Sequence, residues 1–314
     1  MRVGCGVLQL APIGPLADRM LREELGAVRL WEEDAPSWIG RHGAGVSMVA
    51  TSNRHGCDAA LMAALPGLCV ISSWGVGFET IDVETARARG IQVSNTPDVL
   101  DDCVADLAWG LLIATARRIS AADRYVRDGR WRRLGEFPLS RRVSGKRLGI
   151  LGLGRIGSAV ARRGSGFSME VRYHGRAPKP VPYGFEPSLH MLAEWCDFLV
   201  VACGGGAETH HLVSAAVLDA LGPEGILINV GRGSVVDQAA MIRALDETRL
   251  GGAGLDVLEG EPGAPAALRA LDNVVLTPHV GSATADTRAA MERLVVDNLR
   301  AFLRTGRVLT PVRP

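Results

Sequence analysis

Short apolar runs alternate with amphipathic stretches along most of this chain. In the first third, Val3–Leu8, Val46–Ala50 and Leu68–Ser72 read as strands, and Pro15–Leu25 and Asp58–Leu65 carry helical spacing between them. Such alternation predicts parallel strands joined by right-handed crossovers. Ile91–Ser94 predicts a further short strand, closed by the turn signal Asn95-Thr96-Pro97. Asp101 or Asp102 then caps a long apolar helix to about Ala116, long enough to link two domains. A second α/β unit begins near residue 99. Its strands are predicted at Leu148–Leu151, Glu170–Tyr173, Phe198–Cys203, Ile226–Val230, Ala253–Val257 and Val274–Leu276. Arg176–Pro187 is rich in proline and reads as a loop. The last helix, about Ala285–Leu303, sets Met291, Leu294, Val295, Leu299, Phe302 and Leu303 at three- and four-residue steps. Nothing after it continues the sheet alternation, so it is expected to return to the N-terminal unit. The expected domains are 1–98 with 286–314, and 99–285.

Composition supports this division. At 314 residues, 47% of them hydrophobic, the chain can build two cores. A formal net charge of +1 gives no basis for a nucleic-acid or membrane surface. No apolar run approaches the length that spans a bilayer, and the opening Met1–Leu8 is too short for a secretory apolar region. Six scattered cysteines without a CxxC or Cys/His spacing predict reduced thiols, a cytoplasmic protein and no metal. Only Lys146 and Lys179 are lysines, and no function is drawn from that.

One glycine cluster changes the picture. Gly152-Leu153-Gly154-Arg155-Ile156-Gly157 follows a predicted strand and opens a predicted helix, about Ile156–Arg163. In such a dinucleotide-binding turn the glycines serve tight reversal, close approach to a pyrophosphate and close helix–strand packing. The helix start adds free N–H groups and a positive dipole. An acid about twenty residues on would select NAD through the ribose 2′-hydroxyl. Here Tyr173-His174-Gly175-Arg176 stands instead, with no acid from Val171 through Phe185. Arg176 can pair with a 2′-phosphate, so NADPH is favoured over NADH; the plainer alternative is a solvated loop arginine.

Arg232, Glu261 and His279 each follow a later predicted strand, and ligands in open α/β sheets sit at the carboxyl ends of strands. A guanidinium can anchor a carboxylate and polarise a carbonyl. An imidazole can exchange a proton near neutrality. A carboxylate on its other nitrogen orients the ring. Reduction of a 2-keto acid needs these three functions.

These motifs, with Val230-Gly231-Arg232-Gly233, Gly254-Leu255-Asp256-Val257, Glu261-Pro262, Pro278-His279-Val280-Gly281, Val76-Gly77 and Asn95-Thr96-Pro97, resemble the D-isomer-specific 2-hydroxyacid dehydrogenase family over essentially the whole chain. Within that family the chain is similar to the NADPH-dependent glyoxylate/hydroxypyruvate and hydroxyphenylpyruvate reductases. The resemblance implies two doubly wound parallel-sheet domains, a Rossmann cofactor domain and a flavodoxin-like substrate domain, with catalysis in the cleft between them. It implies Arg232 as substrate anchor, His279 as acid/base and Glu261 as its partner, with Asp256 beside the nicotinamide. It places Gly152, Gly154, Arg155, Ile156, Gly157, His174, Gly175, Arg176, Val230, Gly231 and Gly281 around the cofactor. Substrate binding falls to Val76 and Gly77 through their amides, and to Asn53 and Arg54, although Arg54 and His55 read equally well as solvated loop residues. Glu79 stands where relatives often have Asp. A homodimer is implied, and Trp131 belongs either to a dimerisation arm near 120–145 or to ordinary basic surface. His210-His211 reads as a surface or helix-start pair, with no further ligand spaced around it. Alternatives are a non-catalytic dinucleotide-sensing, corepressor-like protein and an S-adenosylmethionine methyltransferase, which would have no use for the arginine, glutamate and histidine. Phosphoglycerate oxidation is disfavoured by the missing NAD-type acid and by a chain ending at Pro314.

Overall fold

The structure is a computed structural model that describes residues 6–312; Val3–Cys5 of the predicted first strand lie outside that range. The chain divides into two units, Met1–Leu100 with Ala283–Pro314, and Asp101–Ser282.

In the smaller unit, β1 (Gly6–Gln9), β2 (Val28–Arg29), β3 (Val46–Ser52), β4 (Val70–Trp74) and β5 (Gln92–Ser94) pair in parallel in the order β2-β1-β3-β4-β5. This is the flavodoxin-like doubly wound order, with its switch point between β1 and β3. Strand β3 is buried along nearly its whole length, as parallel strands covered on both faces must be. The helix Pro15–Leu25 starts on a proline, whose missing N–H costs nothing in a first turn. It stops at Gly26, which takes a left-handed φ of 62°. Its first amides, on Leu16 and Ala17, both donate to Glu292 Oε2 at 2.8 Å. Glu292 sits on the final helix, Ala285–Thr305, and its buried carboxylate meets both the orphan donors and the dipole of the first. Leu21, Met48, Val70, Val295 and Leu299 share one core, so the last helix is integral to this unit.

The larger unit holds β6 (Arg147–Leu151), β7 (Glu170–His174), β8 (Gly184–Phe185), β9 (Phe198–Val201), β10 (Ile226–Asn229), β11 (Gly252–Leu255) and β12 (Val274–Leu276). All are parallel, in the order β12-β11-β10-β9-β6-β7-β8, which reverses between β6 and β9. That is the six-stranded dinucleotide-binding order, 3-2-1-4-5-6, with one strand, β12, added at one edge. The helix Asp101–Ala116 lies against the helix Arg155–Gly164. Trp109 stacks on Phe167 at 4.3 Å and donates its indole N–H to the Val160 carbonyl at 3.1 Å.

Several predicted bounds shift. The runs Phe198–Cys203 and Ala253–Val257 extend two residues past the strands, because Cys203 and Val257 remain partly or wholly buried inside the following loops. The loop predicted at Arg176–Pro187 contains β8, a two-residue edge strand paired to Arg172 and Tyr173. Two residues carry no readable alternation, and β2 is unpredicted for the same reason. No helix among the described residues is long and apolar enough to cross a membrane. The described cysteines are free.

Candidate active site

The three glycines of the turn stand in different surroundings. Gly152 leaves β6 with φ +93°, and a Cβ there would lie 2.7 Å from Cys203 Cβ. A Cβ on Gly157 would lie 2.1 Å from the Gly152 carbonyl oxygen, so the helix packs on the turn without a side chain between them. A Cβ on Gly154 would meet nothing within 4 Å. Its side of the turn is open, and no side chain caps the helix Arg155–Gly164 that starts there. The amides at Arg155 and Ile156 therefore present an anion cradle, and the turn fits a pyrophosphate.

These contrasts make a paired prediction. Gly157→Ala should lower stability by about 1–3 kcal/mol, the usual cost of overpacking, and abolish cofactor binding. Gly154→Ala should keep its melting temperature within a few degrees yet weaken NADPH binding. Thermal unfolding and fluorescence titration would check both; equal melting temperatures for the two variants would contradict the packing described.

At the end of β7, the His174 carbonyl accepts from the Gly152 amide at 2.9 Å, and His174 Nδ1 lies 2.9 Å from the Glu186 carbonyl. Arg176 is exposed, and no described residue pairs with it. Lys179, to which sequence reasoning gave no role, folds back so that Nζ donates to the Leu153 carbonyl at 2.6 Å while its amide donates to the Tyr173 hydroxyl at 2.6 Å. An acid does follow this edge, Glu186, but its carboxylate accepts from the Ser188 amide at 3.2 Å at the start of the next helix.

Beyond the switch point, three strand ends build one cavity of about 440 Å³, lined by Arg232, Gly233, Ser234, Leu258, Glu259, Gly260, Glu261 and His279. Arg232 follows β10. Asn229 clamps its turn, accepting from the Gly231 amide at 3.0 Å and donating to the Arg232 carbonyl at 3.0 Å. A Cβ on Gly233 would lie 2.1 Å from the Leu258 backbone, so only glycine lets the arginine loop meet the Leu258–Glu261 loop. Glu261 uses Oε1 to accept from the Leu258 amide at 2.9 Å and Oε2 to meet His279 Nδ1 at 2.7 Å. With Nδ1 engaged, the His279 nitrogen available for chemistry is Nε2.

His279 is held in a left-handed conformation, φ +55°, that few non-glycine residues adopt. The cause is Asp256, 3% exposed at the end of β11. Its Oδ1 accepts from Thr277 Oγ1 at 2.6 Å and from the Val280 amide at 2.8 Å, and its Oδ2 from the Gly281 amide at 2.8 Å. Its carbonyl accepts from the His279 amide at 2.9 Å. The Asp256 carboxylate thus shapes the histidine loop. Cys203, packed on Gly152 and Gly231, has its thiol pushed up to about 11 by burial, with the Arg232 charge acting the other way. It is not a nucleophile near neutrality.

The remaining predicted residues belong to the smaller unit. Val76 and Gly77 follow β4 in a loop pinned by Asn95 Nδ2 donating to the Val76 carbonyl at 2.7 Å and by the Gly75 amide donating to Thr96 Oγ1 at 3.0 Å. Asn53 follows β3, its amide donating to the Trp74 carbonyl at 3.2 Å. Arg54 is exposed, and His55 Nδ1 lies 2.9 Å from Ser52 Oγ. These residues gather at the carboxyl end of their own sheet.

Residues 109–281 match the family described as D-isomer specific 2-hydroxyacid dehydrogenase, NAD binding domain. The chain is 46% identical over 309 residues to glyoxylate/hydroxypyruvate reductase A of Arabidopsis thaliana, covering 98% of each. It is also 46% identical over 309 residues, again 98% of each, to hydroxyphenylpyruvate reductase of Plectranthus scutellarioides. Among solved structures it matches the NADPH-dependent glyoxylate/hydroxypyruvate reductase of Sinorhizobium meliloti, in complex with NADP and malonate, at a TM-score of 0.91. Identity to that chain is 46%, over 98% of this chain and 96% of the other.

Proposed function

The chain belongs to the D-isomer-specific 2-hydroxyacid dehydrogenase family, and from that premise we propose that it reduces a small 2-keto acid of the glyoxylate or hydroxypyruvate type to the D-2-hydroxy acid. The observation that carries this is the His279–Glu261 pair, 2.7 Å apart, lining one cavity with Arg232. A dinucleotide with its pyrophosphate held by the Gly152–Gly157 turn would supply, from its reduced nicotinamide, the hydride for the carbonyl carbon. Arg232 binds the substrate carboxylate and draws charge toward the carbonyl oxygen. His279 gives the proton on Nε2 to that oxygen as it gains charge, and Glu261 balances the imidazolium before the transfer. Asp256 acts as a positioning residue through the histidine loop, while Val230, Gly231 and Gly281 shape the wall toward the cofactor. The amides of Val76 and Gly77, with Asn53 and Arg54, are assigned to the substrate. The larger unit is the cofactor domain and the smaller the substrate domain.

NADPH is the preferred donor in this proposal, with NADH as a weaker substitute. The support is local: the first acid past β7, Glu186, accepts from the Ser188 amide at the start of the next helix, and Arg176 is exposed at the strand end with Lys179 beside the turn. Arg176→Ala should raise KM for NADPH by roughly ten- to a hundredfold, since a charge-assisted hydrogen bond contributes about 1.5–3 kcal/mol. KM for NADH should stay the same. Equal losses for both cofactors would remove the phosphate contact.

A homodimer is also proposed, through the segment carrying exposed Ile119, Val126, Trp131, Leu134 and Leu139, and a cytoplasmic site of action, in keeping with free thiols. Hydroxyphenylpyruvate is the alternative substrate, because a reductase of that acid is as similar to this chain as the glyoxylate/hydroxypyruvate reductase is. Loss of reduced-nicotinamide absorbance with glyoxylate, hydroxypyruvate and hydroxyphenylpyruvate, each against NADPH and NADH, tests the proposal. Turnover of one of them is expected. No oxidation with any would favour a non-catalytic, dinucleotide-sensing protein.

A further inference from the structure

We propose that His210, His211 and Glu259 form a binding site for a divalent transition metal of the zinc class on the wall of the catalytic cavity, and that an ion bound there inhibits turnover. The sequence shows no further ligand spaced around His210-His211, but in the fold Glu259 reaches His211 from 48 residues away, where spacing rules do not look. One ligand atom from each residue lies within 4.8 Å of the other two. His211 Nε2 is 2.6 Å from Glu259 Oε1, and the two imidazoles stack with centroids 4.0 Å apart.

Ligand atoms around a tetrahedral zinc, each about 2.1 Å from the ion, lie roughly 3.4 Å from one another. The ligand atoms here lie between 2.6 Å apart and the 4.8 Å limit that encloses all three, a range that includes that value. An ion entering the cluster would part the His211–Glu259 contact slightly and draw the exposed His210 ring inward. The main chain is already fixed for this: the His211 amide donates to the Ser234 carbonyl at 2.8 Å, and the Glu259 amide to Gln238 Oε1 at 3.1 Å. Only side-chain rotations remain to be made. Two imidazoles with one carboxylate suit zinc, nickel or copper rather than magnesium or calcium, which prefer all-oxygen shells. Three protein ligands leave a fourth position open.

The consequence for turnover follows from Glu259. Its side chain lines the same cavity as Arg232, Glu261 and His279. An ion held there, with an open coordination position, would attract the keto acid's carboxylate and compete with Arg232 for it. This inhibitory half rests on the function proposed above, whereas metal binding does not.

The test uses the full chain without cofactor or substrate, titrated with zinc chloride by calorimetry, and beside it NADPH oxidation with glyoxylate at rising zinc. One zinc per chain is expected. His210→Ala and Glu259→Gln should each weaken it at least tenfold, the lower bound seen for lesser, outer-shell changes, while His279→Ala should leave it unchanged. His210 is exposed, so His210→Ala should fold and turn over normally and should lose zinc inhibition. Absence of zinc binding, unchanged affinity in His210→Ala and Glu259→Gln, or loss in His279→Ala instead would overturn the site. Zinc bound at this cluster without effect on NADPH oxidation would overturn its inhibitory role. A protein that binds zinc as expected but reduces no keto acid would refute the proposed reductase and leave the site standing.

Discussion

His279→Ala is expected to lower kcat for keto acid reduction by about 10²–10⁴-fold, the range for a positioned acid/base. The imidazole lines the cavity with its orientation held from behind: Nδ1 meets Glu261 at 2.7 Å, and no described residue engages Nε2. Its side chain is about one third exposed and builds no core, so the loss should be chemical rather than structural. The backbone adds one complication. At φ +55° alanine is strained where asparagine is tolerated, so His279→Asn keeps the loop while removing the acid. Both variants should bind NADPH with unchanged affinity and differ little from each other in kcat. A kcat within threefold of wild type in the asparagine variant would exclude His279 as the proton donor.

Arg232→Ala is expected to reduce kcat/KM by about 10²–10³-fold, comparable with losing one donor aimed at developing negative charge, with KM rising and kcat falling together. KM rises because the carboxylate loses its bidentate partner. The fall in kcat follows from the same guanidinium polarising the carbonyl as it takes up the hydride. Arg232→Lys should restore little, since a point ammonium cannot reproduce the planar fork. The position itself is set by the Asn229 clamp and by the close fit of Gly233 against Leu258. Steady-state kinetics with glyoxylate would decide. A rise in KM with kcat untouched would confine Arg232 to binding and remove it from the chemical step.

How far the chain could be read in advance depended on whether a signal was local. The helix Pro15–Leu25 was legible to the residue, because a proline at its first position and a glycine after its last are local punctuation. The turn Gly152–Gly157 was legible because it demands small residues at fixed spacing between a strand and a helix. Arg232, Glu261 and His279 could be assembled from the rule that ligands meet at strand ends, since each follows a readable apolar run. What escaped depends on contacts across large separations. Asn229 and Thr277 look like ordinary polar residues at strand ends until their bonds to the Arg232 turn and to Asp256 are seen. The resemblance sets Asp256 beside the nicotinamide; that its carboxylate also holds the histidine loop is disclosed only by the folded geometry. Lys179 lies in a proline-rich stretch with no periodicity, and its reach to Leu153 follows from the chain reversing at the edge of the sheet. The edge strands β2 and β8 are too short for alternation to register.

The central claim is that the imidazole, its carboxylate and the guanidinium converge on one substrate carbonyl. A crystal structure of the protein with NADP and oxamate, a non-reacting mimic of the keto acid, tests it most directly. The expected result is His279 Nε2 about 2.6–3.2 Å from the amide-carbonyl oxygen of oxamate, with Arg232 on the same oxygen and the adjacent carboxylate, and Glu261 still on Nδ1. Oxamate bound without contact to His279, or an imidazole turned to solvent away from Glu261, would contradict it.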